Sequence, residues 1–97
     1  MLVAVMRFDL RIHDVHSLKQ KRHVVKGLFA AVRQRFDVAV AEVDHQDLWQ
    51  RTAIGVAAVG SEEYHLRRVM HQIDKLVQTQ PGVELIEAEL SVMDPQD

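Results

Sequence analysis

From Leu2 to Ile12, apolar side chains occupy every second position: Leu2, Ala4, Met6, Phe8, Leu10 and Ile12 fall on one side, and Val3, Val5, Arg7, Asp9 and Arg11 on the other. Successive side chains of a strand point to opposite faces, so this segment is predicted to be a strand with one buried face and one mixed face. Such a strand cannot stand alone. It needs sheet neighbours and a covering layer, and the remaining residues must supply both.

The pattern then changes period. Ser17 and Gln20 form a capping box, in which the serine hydroxyl and the glutamine side chain each satisfy an unpaired backbone N–H, and a helix is predicted from there to about Arg35. Leu18, Val25, Leu28, Phe29, Val32 and Phe36 fall within about 100° on a helical wheel, the width of a stripe that packs on a core. Asp37 to Val43 and Thr52 to Val59 are rich in Val and Ala and are predicted to pair as a hairpin across a polar connection. Gly60 and Ser61 precede a second helix, with Glu62 and Glu63 at its positive end and Leu66, Val69, Met70, Ile73, Leu76 and Val77 along one side. Pro81-Gly82 ends the connection, and Ile86, Ala88, Leu90 and Val92 alternate with Glu87, Glu89 and Ser91 in a fourth strand. A loose tail is expected from Asp94 to Asp97. Strand, helix, hairpin, helix, strand predicts an α+β, ferredoxin-like βαββαβ sandwich. Its four-stranded antiparallel sheet has the order 4-1-3-2, with both helices on one face, and residues 1–97 form a single domain.

Composition narrows the function classes. The chain has no cysteine, which excludes disulfides, thiolate metal sites and a cysteine nucleophile together. No apolar run approaches the roughly 18 residues of a membrane span. The start Met-Leu-Val-Ala-Val-Met is too short, and too soon broken by Arg7 and Asp9, to read as a signal peptide, so a cytoplasmic location is expected. The net charge of −2 conceals segregation. Residues 11–35 carry seven Lys or Arg against one acid, Asp14, whereas residues 83–97 carry five acids and no base.

Two segments are more specific than the general pattern. His16-Ser-Leu-Lys-Gln-Lys-Arg-His-Val-Val-Lys26 and Phe36-Asp-Val-Ala-Val-Ala-Glu-Val-Asp-His-Gln-Asp-Leu-Trp-Gln50 resemble the signature of the YlxP-like proteins, a bacterial family of unknown function. The resemblance extends over nearly the whole chain and implies the ferredoxin-like fold. Members are often encoded beside ribosome-binding factor A and a translation initiation factor, which implies ribosome or RNA work without defining a reaction. It brings no catalytic residues with it.

The residues themselves supply the candidates. Lys19, Arg22, His23, Lys26 and Arg33 follow spacings of three, four and seven and lie on one stripe beside the apolar face of the first helix. Such a ridge suits phosphates, and its bland alternative is a solvated helix face. Cations crowd the start of this helix, where the dipole disfavours them and exposed N–H groups favour anions, so a bound phosphate would reconcile the two. Lys21 falls instead near Leu28 and Val32 and is expected to snorkel along the core edge to a carboxylate such as Glu42 or Asp44. Asp44, His45, Asp47 and Trp49 in the hairpin loop form a candidate partner contact, in which the indole either meets another molecule or folds back on its own helix ends.

Other chemistry is thinly represented. Asp44, His45 and Asp47, or His13 and His16, offer metal ligand atoms, but neither set completes a three- or four-ligand site of zinc-like spacing, and no cofactor is expected. There is no Gly-rich phosphate loop and no G-x-S-x-G elbow, and Arg11-Ile-His-Asp-Val-His-Ser17 lacks the glycines of an acylphosphatase loop. Phe8 belongs to the buried set, which argues against base stacking on the sheet in the manner of an RNA recognition motif. The sequence therefore points to a non-catalytic accessory protein associated with RNA or the ribosome. The competing class is a dimeric ligand-sensing module like the ACT domains, with Val3 and Val5 offering a mixed patch for self-association.

Overall fold

The computed structural model describes residues 1–96. Its elements follow the predicted order: β1 (Leu2–Ile12), α1 (Leu18–Arg35), β2 (Ala39–Asp44), β3 (Arg51–Gly60), α2 (Glu63–Gln78) and β4 (Val83–Met93). All strand pairs are antiparallel in one sheet of order β2-β3-β1-β4, which is the expected order read from the other edge. The alternation of β1 decides which side is covered. Ala4, Phe8 and Leu10 are fully buried and Met6 and Ile12 nearly so, while Val3, Val5, Arg7 and Asp9 are half-buried on the open side and Arg11 is exposed.

The helices close the other side. Val25, Leu28 and Val32 of α1 and Leu66, Met70, Ile73 and Val77 of α2 join Phe8, Leu10, Ile54 and Val56 in the core. Burying a side chain of this size stabilises by about 1.5–3 kcal/mol, so this layer is the main source of stability in a chain without disulfides. At the β3–α2 junction, a Cβ on Gly60 would stand 3.1 Å from Leu66 Cδ2, so the absent side chain lets the second helix come close. The N-cap of α2 is Glu62, which makes no side-chain capping hydrogen bond.

Two irregularities shape the edges. Asp9 faces Glu87 but Leu10 faces Leu85, leaving Ile86 as an extra residue in β4, and Glu42 faces Ile54 but Asp44 faces Ala53, leaving Val43 as an extra residue in β2. The β4 bulge corrects one expectation. Ile86 is 43% exposed rather than inward, and Leu85 packs against the core in its place, because one inserted residue reverses the alternation on one side of it. Bulges on both edge strands also spoil the flat ladders that would otherwise invite further strand pairing. β4 ends at Met93, where Gln96 N–H donates to Asp94 Oδ1 at 2.9 Å; of the tail expected to be loose, Asp97 lies outside the described residues.

Phe8 lies at the centre of the core, so Phe8→Ala should cost about 3–5 kcal/mol, the usual range for removing a buried aromatic ring. Urea unfolding should show the midpoint falling with little change in slope. A change under about 1 kcal/mol would mean that the layer over β1 is not the packed core described.

Candidate functional site

The start of α1 is built as the sequence indicates. Ser17 Oγ accepts from Gln20 N–H at 3.1 Å, and Gln20 Oε1 accepts from His16 N–H at 2.6 Å, so the capping box closes on the residue before the cap. The helix turns Lys19, Arg22, His23, Lys26 and Arg33 outward, and all five are exposed. Among the described residues no carboxylate pairs with any of them. The helix contains no acid at all, although Lys21, Arg22 and Lys26 lie in its first half. Arg33 is less free than the others: its guanidinium lies 5.4 Å from the Phe29 ring centre and donates to the Val40 carbonyl of β2 at 3.4 Å.

Lys21 behaves differently, as its position on the wheel requires. It is 1% exposed, and its Nζ reaches Glu42 Oε2 at 2.8 Å and donates to the carbonyl of His45 at 2.6 Å and of Gln46 at 3.5 Å. Glu42 also accepts from the hydroxyl of fully buried Thr52 at 2.5 Å. Of the two carboxylates expected as partners, Glu42 takes the role, and Asp44 turns to the other side of the sheet. A charged helix residue therefore pins the hairpin loop, adding a charge-assisted bond to the His45 carbonyl, which Leu48 N–H also reaches, and a long one to that of Gln46.

On the open side, Arg7 faces Glu89 across the β1–β4 ladder, yet its guanidinium turns to two aspartates instead. It pairs with Asp9 at 3.1 Å and reaches across to Asp44 at 3.3 Å. The His45 ring stands 3.8 Å from both Asp9 and Asp44. His45 adopts φ +62°, in the left-handed region, where its N–H can donate to Asp44 Oδ1 at 2.8 Å and its carbonyl can receive Lys21. The His45 N–H, and next the Arg7 guanidinium, hold the Asp44 carboxyl below the usual carboxylate range. Among the described residues, no three His, Asp or Glu side chains gather as a metal site would require.

Beyond this cluster, Leu48 and Trp49 are half exposed at the tip of the loop, with Asp47 beside them. Sequence reasoning missed a second feature, a shallow groove of about 480 Å³ along the open face floored by Val5, Ala39, Ala41, Gly55 and Ala57 and flanked by Val43. A Cβ on Gly55 would come within 2.9 Å of Val43 Cγ1, so glycine there is what lets the bulged valine lie across the sheet. The clue was the run of small residues at alternate positions of β2 and β3. Small side chains are chosen for the space they leave, which periodicity does not register.

The Lys21 anchor gives a direct test. Lys21→Ala should cost about 3 kcal/mol, because it leaves Glu42 and two carbonyls without their cation in a largely buried setting. Differential denaturation reads the loss, and a change below about 1 kcal/mol would show that the loop holds itself. The Asp44 carboxyl gives a pH test. Since folding lowers its pKa, its contribution is present above the ordinary carboxylate range and disappears as pH falls through the lowered folded value. Wild type and Asp44→Asn should therefore differ most at neutral pH and converge in strong acid; a gap that widens in acid would contradict the pairing with Arg7.

Comparison with known proteins places this architecture. Residues 3–90 match the family model described as protein of unknown function (DUF503). The uncharacterized protein YlxP of Bacillus subtilis (strain 168) is 36% identical over 73 residues, spanning 75% of this chain and 79% of that protein. Among solved structures, the de novo designed protein Foldit4 aligns with a TM-score of 0.56 at 13% identity, covering 97% of this chain and 98% of its own, a likeness of fold alone. SnoaB, a cofactor-independent oxygenase from Streptomyces nogalater, aligns with a TM-score of 0.48 at 9% identity over 99% of this chain and 94% of its own. With the family match covering nearly all of the chain and the YlxP relative agreeing along three quarters of it, this protein belongs to the YlxP-like DUF503 family, whose function is unknown.

Proposed function

We propose that this protein is a non-catalytic accessory factor of the cytoplasm that associates with structured RNA, such as that of a ribosomal subunit, through the basic face of α1. The observation that supports this reading is the exposed, unpaired state of Lys19, Arg22 and Lys26, among the described residues, on a helix that carries no acid. From Lys19 to Arg33 the ridge extends about 21 Å at 1.5 Å per residue, long enough to follow several phosphates. Phosphate contacts position a protein without reading bases, so sequence preference should be slight.

The apolar groove favours a second reading, a dimeric ACT-like module that holds a ligand or a second copy against the open sheet. That reading predicts little salt dependence. No helix among the described residues is long and apolar enough to cross a membrane.

Salt separates the two readings. With about three phosphates neutralised on duplex RNA, the logarithm of affinity should fall against the logarithm of salt with a slope near −3, since each contact contributes about 0.9. Replacing Arg22 and Lys26 by Glu should flatten the slope while leaving the fold intact, as exposed substitutions usually cost under about 0.5 kcal/mol. Absence of salt-sensitive binding by the wild type to ribosomal subunits or structured RNA would remove the RNA reading and favour the ligand-sensing one.

A further inference from the structure

At the end of the open face nearest the hairpin loop, Arg11 of β1 and Arg51 of β3 stand directly opposite each other. Like charges in that position destabilise a sheet unless something negative lies against them. The carboxylate that the β4 ladder offers to Arg11 is Glu84, and His13 already engages it at 2.7 Å. Neither arginine makes an ion pair among the described residues. The Arg51 Nε is buried and, among those residues, has no hydrogen-bond partner.

The same arginine lines a groove of about 490 Å³ with Asp47, Leu48, Trp49 and Gln50, in which Trp49 is 48% exposed. The loop does not present this indole by chance flexibility. Lys21 holds the carbonyls of His45 and Gln46, Ile12 N–H donates to the Gln50 carbonyl at 2.9 Å, and Leu48 N–H donates to the His45 carbonyl at 3.1 Å. A half-uncovered indole on a pinned loop, beside the Arg51 guanidinium and with Arg11 across the ladder from it, is the combination that unstacked nucleotides use, with the base on the aromatic face and the phosphate on the cations.

We propose that Trp49, Arg11 and Arg51 form a subsite for one unpaired nucleotide of the RNA partner: the base stacks on Trp49, and the adjoining phosphate lies between the two arginines. This subsite rests on the RNA reading above and narrows it to RNA with a single-stranded element. Lys21 links the two regions, because the helix that carries the basic ridge also fixes the loop that carries Trp49. Asp47, on the rim of the groove, keeps affinity modest and disfavours phosphates on the loop side.

The chain contains one tryptophan, so its fluorescence reports on the subsite alone. The probe is a single-stranded oligouridine of eight nucleotides, compared with an abasic ribose-phosphate strand of the same length and charge. The uridine strand should quench Trp49 and the abasic strand should not. Trp49→Ala should weaken oligouridine binding about tenfold, within the range for losing one stacked base, and Trp49→Phe should restore most of it. Arg11→Gln and Arg51→Gln should each reduce the magnitude of the salt slope, by no more than about 0.7 for the one phosphate they share on a single strand, with thermal melts confirming that each variant folds. Quenching that persists in the Arg22→Glu, Lys26→Glu double variant establishes the subsite even if the ridge reading fails. Salt-sensitive RNA binding with an unquenched indole, and no loss in Trp49→Ala, overturns the subsite and leaves the ridge standing. Absence of both overturns both.

Discussion

The buried ammonium of Lys21 holds the start of α1 and the β2–β3 loop together. A lysine almost never loses nearly all contact with water unless its charge is met, and here a carboxylate and two carbonyls meet it. The contact joins the first turns of α1 to the loop between β2 and β3, and through Glu42 it extends to Thr52 in the middle of the sheet. Without it the partly buried Glu42 carboxylate would lack its cation. With it, the helix that bears the exposed cations and the loop that bears the exposed indole keep a fixed relation.

The two β-bulges carry that organisation to the other side of the sheet. The bulge in β2 turns Glu42 toward the helices while Asp44 and Val43 both serve the open face, so consecutive residues feed two separate networks. Asp44 then anchors Arg7, which joins the Asp9–His45 cluster instead of pairing with Glu89 across the ladder. The open face thus has a polar end near the loop and an apolar groove farther along. Its charges serve geometry first, since exposed pairs of this kind contribute little net stability.

Much of this was legible in the residue pattern. The alternation of β1 gave its limits and its buried face, Ser17 gave the start of α1, and the phase of Lys21 on the helical wheel singled it out from the cations around it and pointed to Glu42 or Asp44, of which Glu42 is the partner. Ile86 was misread because a bulge changes phase without changing composition. The partners of Arg7 were hidden because register names the residue opposite but not the rotamer, and two aspartates outcompeted one glutamate. The groove was invisible because it depends on what Ala39, Ala41, Gly55 and Ala57 lack. The Arg11–Arg51 pair needed strand register to be seen, since the two residues lie far apart in sequence.

The central claim is that the α1 ridge and the pinned loop both meet RNA while α2 and the apolar groove do not. Amide chemical shifts of isotope-labelled protein titrated with a stem-loop RNA map this most directly. The account predicts shifts concentrated in residues 18–26 and 46–51, with those of 63–78 unmoved. Shifts confined to Val5, Ala41, Gly55 and Ala57, or no shifts at low salt, would contradict it.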